Sequence, residues 1–160
     1  MRVAALIPAY QAAAKLGAVL VRLQALERPP VVLVVDDGSR DATSQVARQH
    51  GARVLSFPAN RGKGHALLAG FEALRGEFDA VVTLDADGQH PPECVPDFVR
   101  AAEAGADLVL GVRARTPDMP WSRRFANGFS SGWATWLAGQ RVSDSQCGYR
   151  LHSCQLLERT

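Results

Sequence analysis

Asp85, Asp87 and Gln89 fall at every second position directly after Val81, Val82, Thr83 and Leu84, four apolar or β-branched residues that read as a short buried strand. Side chains two apart in extended backbone share a face, with successive Cα atoms roughly 7 Å apart, so the three oxygen-bearing groups can converge on one point where the strand leaves its sheet. Two carboxylates held that close repel unless a cation lies between them. A hard divalent ion suits oxygen donors and can hold a diphosphate at the same time. The plain alternative is a turn that caps a helix starting near Pro92. A calcium loop of the EF-hand type is excluded by Pro91 and Pro92, by the missing sixth-position glycine and by the preceding strand.

Other residues suggest what such an ion would serve. Tyr10 offers a ring face and Asp37 an acceptor for base or ribose donors. Asp36 and Asp37 are adjacent, so one is expected to cap a turn while the other faces the ligand. A dinucleotide fold would carry its glycine fingerprint after the first strand, where this chain has Pro8-Ala9-Tyr10-Gln11. Gly62-Lys63-Gly64 lacks the rest of a phosphate loop and reads as a turn opening a helix. His50, His65, His90 and His152 form no ligand pair, and His90, followed by prolines, reads as part of a structural turn. Cys147 has no partner histidine, and the odd count of three cysteines without Cys-x-x-Cys spacing argues against both a disulfide framework and a zinc site.

The elements that must position these groups alternate. Residues 3–7, 31–35, 53–57, 81–84 and 108–112 read as strands. Between them, Leu16, Val19, Leu20, Leu23 and Leu26 recur at helical spacing, Asp41 suits the N-cap of a helix to about His50, Leu67, Leu68, Phe71 and Leu74 share one face of a helix over 64–74, and Val95, Phe98, Val99 and Ala102 face inward after Pro92. This order predicts an α/β fold, a largely parallel sheet covered by helices with its ligand site beyond the carboxyl ends of the strands. Phe125, Phe129, Trp133, Trp136 and Leu137 are spaced for a helix that faces the core or, alternatively, lies in a membrane interface. At 160 residues, with 47% hydrophobic and 21% charged residues, the chain fits one domain over 1–160, long enough to bury about two-thirds of its unfolded surface. A net charge of +2 is too small to argue for nucleic acid. No apolar run reaches the roughly 18 residues of a membrane span, no signal-peptide pattern precedes the first strand, and the expected compartment is the cytoplasm.

Six segments in order, Ile7-Pro8-Ala9-Tyr10, Val34-Val35-Asp36-Asp37-Gly38-Ser39, Asn60-Arg61-Gly62-Lys63-Gly64, Asp85-Ala86-Asp87-Gly88-Gln89-His90-Pro91-Pro92-Glu93, Gly111-Val112-Arg113 and Asp144-Ser145-Gln146-Cys147-Gly148-Tyr149-Arg150, together resemble the family 2 inverting glycosyltransferases of the GT-A fold. The resemblance is greatest to dolichyl- or polyprenyl-phosphate mannose and glucose synthases. It implies a GT-A, Rossmann-like, mostly parallel sheet flanked by helices, truncated before the family's C-terminal elements because the chain stops at Thr160. It further implies a nucleotide-sugar donor (GDP- or UDP-hexose) held by Pro8, Ala9, Tyr10, Asp37, Asp85, Ala86, Asp87, Gln89 and Arg113, with Mn2+ or Mg2+ on Asp85, Asp87 and Gln89. Arg123 or Arg124, and Arg150, match basic positions by the acceptor phosphate or the sugar donor, and with a lipid-phosphate acceptor peripheral contact with the inner face of a membrane would follow. An anionic acceptor demands little of a general base, whereas a sugar-hydroxyl acceptor would need a carboxylate, for which Asp144 is the first choice. Gln11-Ala12 replaces the Asn-Glu common in the family, leaving the base preference open. Two further readings are a family 2 transferase with a glycan or other hydroxyl acceptor, and a truncated nucleotide-sugar-binding module without turnover.

Overall fold

A computed structural model describes residues 1–111 and 148–157. Strands β1 (Val3–Ala9), β2 (Val31–Asp36), β3 (Arg53–Ser56), β4 (Ala80–Thr83), β5 (Leu108–Leu110) and β6 (Arg150–Ser153) form one sheet in the order β3-β2-β1-β4-β6-β5. The strands β1 to β4 pair in parallel; the apolar runs of β1, β2 and β4 suit strands covered on both faces, while β3 is a partly exposed edge strand. β6 enters antiparallel between β4 and β5. The expected α/β, GT-A-type sheet is therefore present, with one inserted strand that the sequence pattern had not separated from the loop before it.

Helices α1 (Ala13–Gln24), α2 (Thr43–Gln49) and α4 (Val95–Glu103) cover one face, packing Leu16, Leu20, Leu23, Ala47 and Phe98 against Ala5, Ile7, Val34 and Val82. Helix α3 (Lys63–Leu74) covers the other, over Leu6, Leu33, Val35 and Val81. Four local expectations are corrected. Strand β1 runs through Pro8 to Ala9; its pairing with β4 ends at Leu6–Thr83, so Pro8 faces a strand on one side only, where a proline is tolerated. Leu68 lies exposed and α3 instead turns Ala66, Gly70 and Leu74 to the sheet. A Cβ on Gly70 would come within 2.2 Å of Leu6 Cδ1, so this close approach selects the small-residue face. Ala42 takes the N-cap position of α2, while Asp41 accepts the backbone N–H groups of Thr43 (3.1 Å) and Ala13 (3.0 Å) and ties α2 to α1. β5 stops at Leu110, and Gly111 N–H donates to the Tyr149 carbonyl (2.8 Å). The expected helix over 121–137 lies outside the described residues.

Candidate functional site

β1 lies at the point where the sheet order reverses direction, with β2 on one side and β4 on the other. Loops leaving such neighbouring strands diverge to opposite faces and open a crevice between them. That crevice is a cleft of about 610 Å³, and Pro8, Ala9, Tyr10, Asp37, Asp85, Ala86 and Asp87 all line it. Seven residues chosen from sequence thus meet in one place. Gln89 is exposed and is not among the lining residues. The extended alternation expected to align it ends at Thr83; the chain then turns, Gly88 takes φ +78°, and Gln89 N–H donates back to Asp87 Oδ1 (3.0 Å). Arg150 is half-buried in β6 opposite Thr83. Arg113, Arg123, Arg124 and Asp144 lie outside the described residues.

The two adjacent aspartates both hold loop backbone, in place of the expected division into one cap and one ligand-facing group, and only Asp37 also lines the cleft. Asp36 accepts Ser39 N–H (3.0 Å) and the Ser44 hydroxyl. Asp37 lines the cleft, and its oxygens accept the backbone N–H groups of Arg61 and Gly62 (2.8 Å each), holding the loop into α3 against the end of β2. Gly38 adopts φ +73° and packs where a Cβ would sit 2.4 Å from the Ala59 carbonyl carbon, so only glycine permits this loop-to-loop contact. At the lip of the cleft Gln11 occupies the left-handed region (φ +51°), with its N–H donating to Ser39 Oγ (3.0 Å).

Sequence reasoning missed Lys63. Its turn-and-helix reading holds, since Gly62 occupies the N-cap of α3 at φ +93°, yet the lysine also reaches into the cleft and donates to Asp85 Oδ1 at 2.5 Å. The clue was a lone cation between two glycines, which is uninformative until β4 is set beside α3. Gly148 closes over this pair: a Cβ there would lie 3.0 Å from Lys63 Nζ and 3.3 Å from Asp85 Oδ1.

A buried clamp steadies the acidic turn. Asp85 N–H donates to His90 Nδ1 (3.1 Å), and His90 Nε2 stands 3.9 Å from Asp85 Oδ2. The imidazole stacks on Tyr149 (centroids 5.0 Å apart, 16° between planes), whose hydroxyl donates to the Pro91 carbonyl (2.8 Å). Burial pushes the Tyr149 phenol far above its usual range, which keeps it a neutral donor. Arg22 on α1 grips Glu93 with two hydrogen bonds (2.8 and 2.6 Å), and those bonds hold the Glu93 carboxyl below its ordinary pKa.

The oxygen donors at the cleft are of the chemical type that a hard divalent ion takes. Asp85 and Asp87 supply two carboxylates beside the open cleft, and among the described residues no group of three or more His, Cys, Asp or Glu side chains could hold an ion unaided.

Comparison with known proteins gives the family and the fold. The chain is 35% identical to the undecaprenyl-phosphate 4-deoxy-4-formamido-L-arabinose transferase of Serratia proteamaculans (strain 568) over an alignment of 167 residues, covering 98% of this chain and 50% of that protein. It is 31% identical to the polyprenol monophosphomannose synthase of Mycolicibacterium smegmatis, covering 99% and 64%. Among solved structures it is similar to mannosyl-3-phosphoglycerate synthase from Rubrobacter xylanophilus (TM-score 0.79, 24% identity, 97% of this chain and 54% of that one), a likeness of fold alone. It is also similar to glucosyl-3-phosphoglycerate synthase from Mycobacterium tuberculosis in complex with uridine diphosphate (TM-score 0.74, 27% identity, 97% and 57%). The chain spans between half and two-thirds of the length of these relatives and structures. Because residues 4–160 match Glycosyl transferase family 2 throughout, the chain belongs to that family.

Proposed function

We propose that the chain is the donor-binding GT-A domain, residues 1–160, of a glycosyltransferase that moves a hexose-type sugar from a nucleoside diphosphate to a polyprenyl phosphate, with inversion at the anomeric carbon. The observation that carries the reading is the convergence of Tyr10, Asp37, Asp85 and Asp87 on one cleft at the carboxyl ends of β1, β2 and β4. The acceptor class is supported by the two relatives named for undecaprenyl phosphate and polyprenol. A uridine base is supported by the uridine diphosphate held in a structural neighbour; guanosine is the competing arm of the test.

In this reading the nucleobase lies toward Tyr10 and Asp37, and the diphosphate toward Asp85, Asp87 and the first turn of α3. That turn has no side-chain cap, so its free N–H groups suit phosphate oxygens. Mn2+ or Mg2+ on Asp85 and Asp87 would supply positive charge to the departing diphosphate. An acceptor phosphate oxygen attacks the anomeric carbon, the bond from that carbon to the diphosphate breaks, and a single displacement inverts the centre. The acceptor is already anionic, so the protein's task is to hold two anions together, with Arg113, Arg123, Arg124 and Arg150 as the cations assigned to it. Asp144 would act as base only toward a hydroxyl acceptor. A lipid acceptor places the reaction at a bilayer face by peripheral contact; among the described residues no helix is long and apolar enough to cross a membrane.

Incubation with labelled UDP- and GDP-hexoses, undecaprenyl phosphate and Mn2+ tests this, the expected product being a chloroform-soluble glycosyl lipid. Labelled sugar bound without product would favour instead a binding module without turnover, a reading kept because the chain spans only half of the arabinose transferase.

A further inference from the structure

Lys63 and Asp85 form an ion pair inside the cleft, so one of the two carboxylates assigned to the ion already has a cationic partner. Asp87 is exposed and already spends one oxygen on Gln89 N–H, so by itself it is a weak cation site. A second carboxylate must come from Asp85, one of whose oxygens accepts from Lys63 Nζ while the other faces His90 Nε2. The lysine is the first residue of α3 and its side chain is about half exposed, against 26% for Asp85, so the ammonium can swing toward the open cleft while the aspartate stays in place. Gly148 lies beside the pair, and a side chain there would meet Lys63 Nζ at 3.0 Å.

We propose that Lys63 is a charge-exchange residue that couples ion binding to donor binding. In the donor-free chain its ammonium neutralises Asp85, and an ion arriving alone must displace it. When a nucleoside diphosphate enters, the ammonium transfers from Asp85 to a phosphate oxygen and leaves both aspartates to the ion. The two carboxylates and the lysine sum to one negative charge, too little to attract a divalent ion strongly, whereas the diphosphate adds the anionic charge that makes the exchange favourable. Ion and nucleotide therefore bind with positive coupling, and the coupling is reciprocal. The inference rests on the donor reading given above and adds to it the residue that links the two ligands.

The test is Lys63→Met in the full chain, with Lys63→Arg as the charge-retaining control and thermal unfolding to verify folding. Mn2+ binding is followed by loss of the free-ion electron paramagnetic resonance signal without nucleotide, and UDP and GDP binding by calorimetry in excess Mg2+. Removing the ammonium is expected to tighten Mn2+ alone by about three- to tenfold, and to weaken the better nucleotide by about tenfold. Lys63→Arg should move both values back toward those of the original chain. The opposite signs distinguish exchange from a structural role, which would weaken both ligands together. Mn2+ affinity that is unchanged or lower in Lys63→Met overturns the proposal. If the unaltered chain binds Mn2+ but neither nucleotide, the donor reading fails, and the Mn2+ measurement still decides whether Lys63 competes for Asp85.

Discussion

Asp85 and Asp87 sit two residues apart and carry the same functional group, yet their surroundings assign them different work. Asp85 is half-buried, tied through its N–H to His90 and through its carboxylate to Lys63, whereas Asp87 is exposed and shapes only its own turn. Replacing Asp87 by Ala should leave the melting temperature nearly unchanged, as surface substitutions generally do, and abolish Mn2+-dependent nucleotide binding in calorimetry. The opposite balance is expected at His90, which is buried. In His90→Phe the ring can still stack on Tyr149, but the Asp85 N–H loses its acceptor, at a cost of about 1–3 kcal/mol readable from urea unfolding. His90→Asn, which retains an acceptor, should recover part of that loss.

At the level of elements, two contacts carry the α3 face. Gly70 lets α3 settle on β1, and Gly70→Ala would drive a methyl group into Leu6; destabilisation of about 1–3 kcal/mol is expected from overpacking. Combining it with Leu6→Ala, which opens space opposite, should cost less than the sum of the two single changes in denaturant titrations. On β6, His152 meets the edge of the Phe71 ring (centroids 5.2 Å apart), and burial, with Arg150 nearby, lowers its pKa below the ordinary 6.5. The unfolded chain therefore takes up a proton at a pH where the folded chain does not. His152 costs no stability above pH 6.5, and stability is lost as pH falls from 6.5 toward its lowered folded value. His152→Phe should flatten that part of a melting-temperature profile measured from pH 7.5 to 5.5.

For the molecule as a whole, the cleft joins three strand ends and the start of α3, so a ligand that fills it should stabilise the entire sheet. A donor nucleotide with Mn2+ at about one hundred times its dissociation constant should add roughly 2.7 kcal/mol, seen as a thermal shift that disappears in Asp87→Ala. An unshifted melting curve with both UDP and GDP would refute the donor site. The same cleft shows how far the chain could be read in advance. Buried runs such as residues 3–7 and 31–35 announce central parallel strands because nothing polar interrupts them, and polar residues directly after such runs must emerge at one edge of the sheet.

The amino-acid sequence by itself determined the alternation of strands and helices, the edge at which Tyr10, Asp37, Asp85 and Asp87 gather, and the family resemblance borne by those same motifs. The alternation and the shared edge are consequences of periodicity and local backbone preference, which act over a few residues, whereas the resemblance rests on the motifs themselves. Only the tertiary structure decided that residues 150–153 enter the sheet antiparallel between β4 and β5, that α3 approaches through Gly70 instead of Leu68, and that Lys63 meets Asp85 beneath Gly148. Each of these joins groups distant in the chain, where pairing and close packing depend on which surfaces the finished fold brings together.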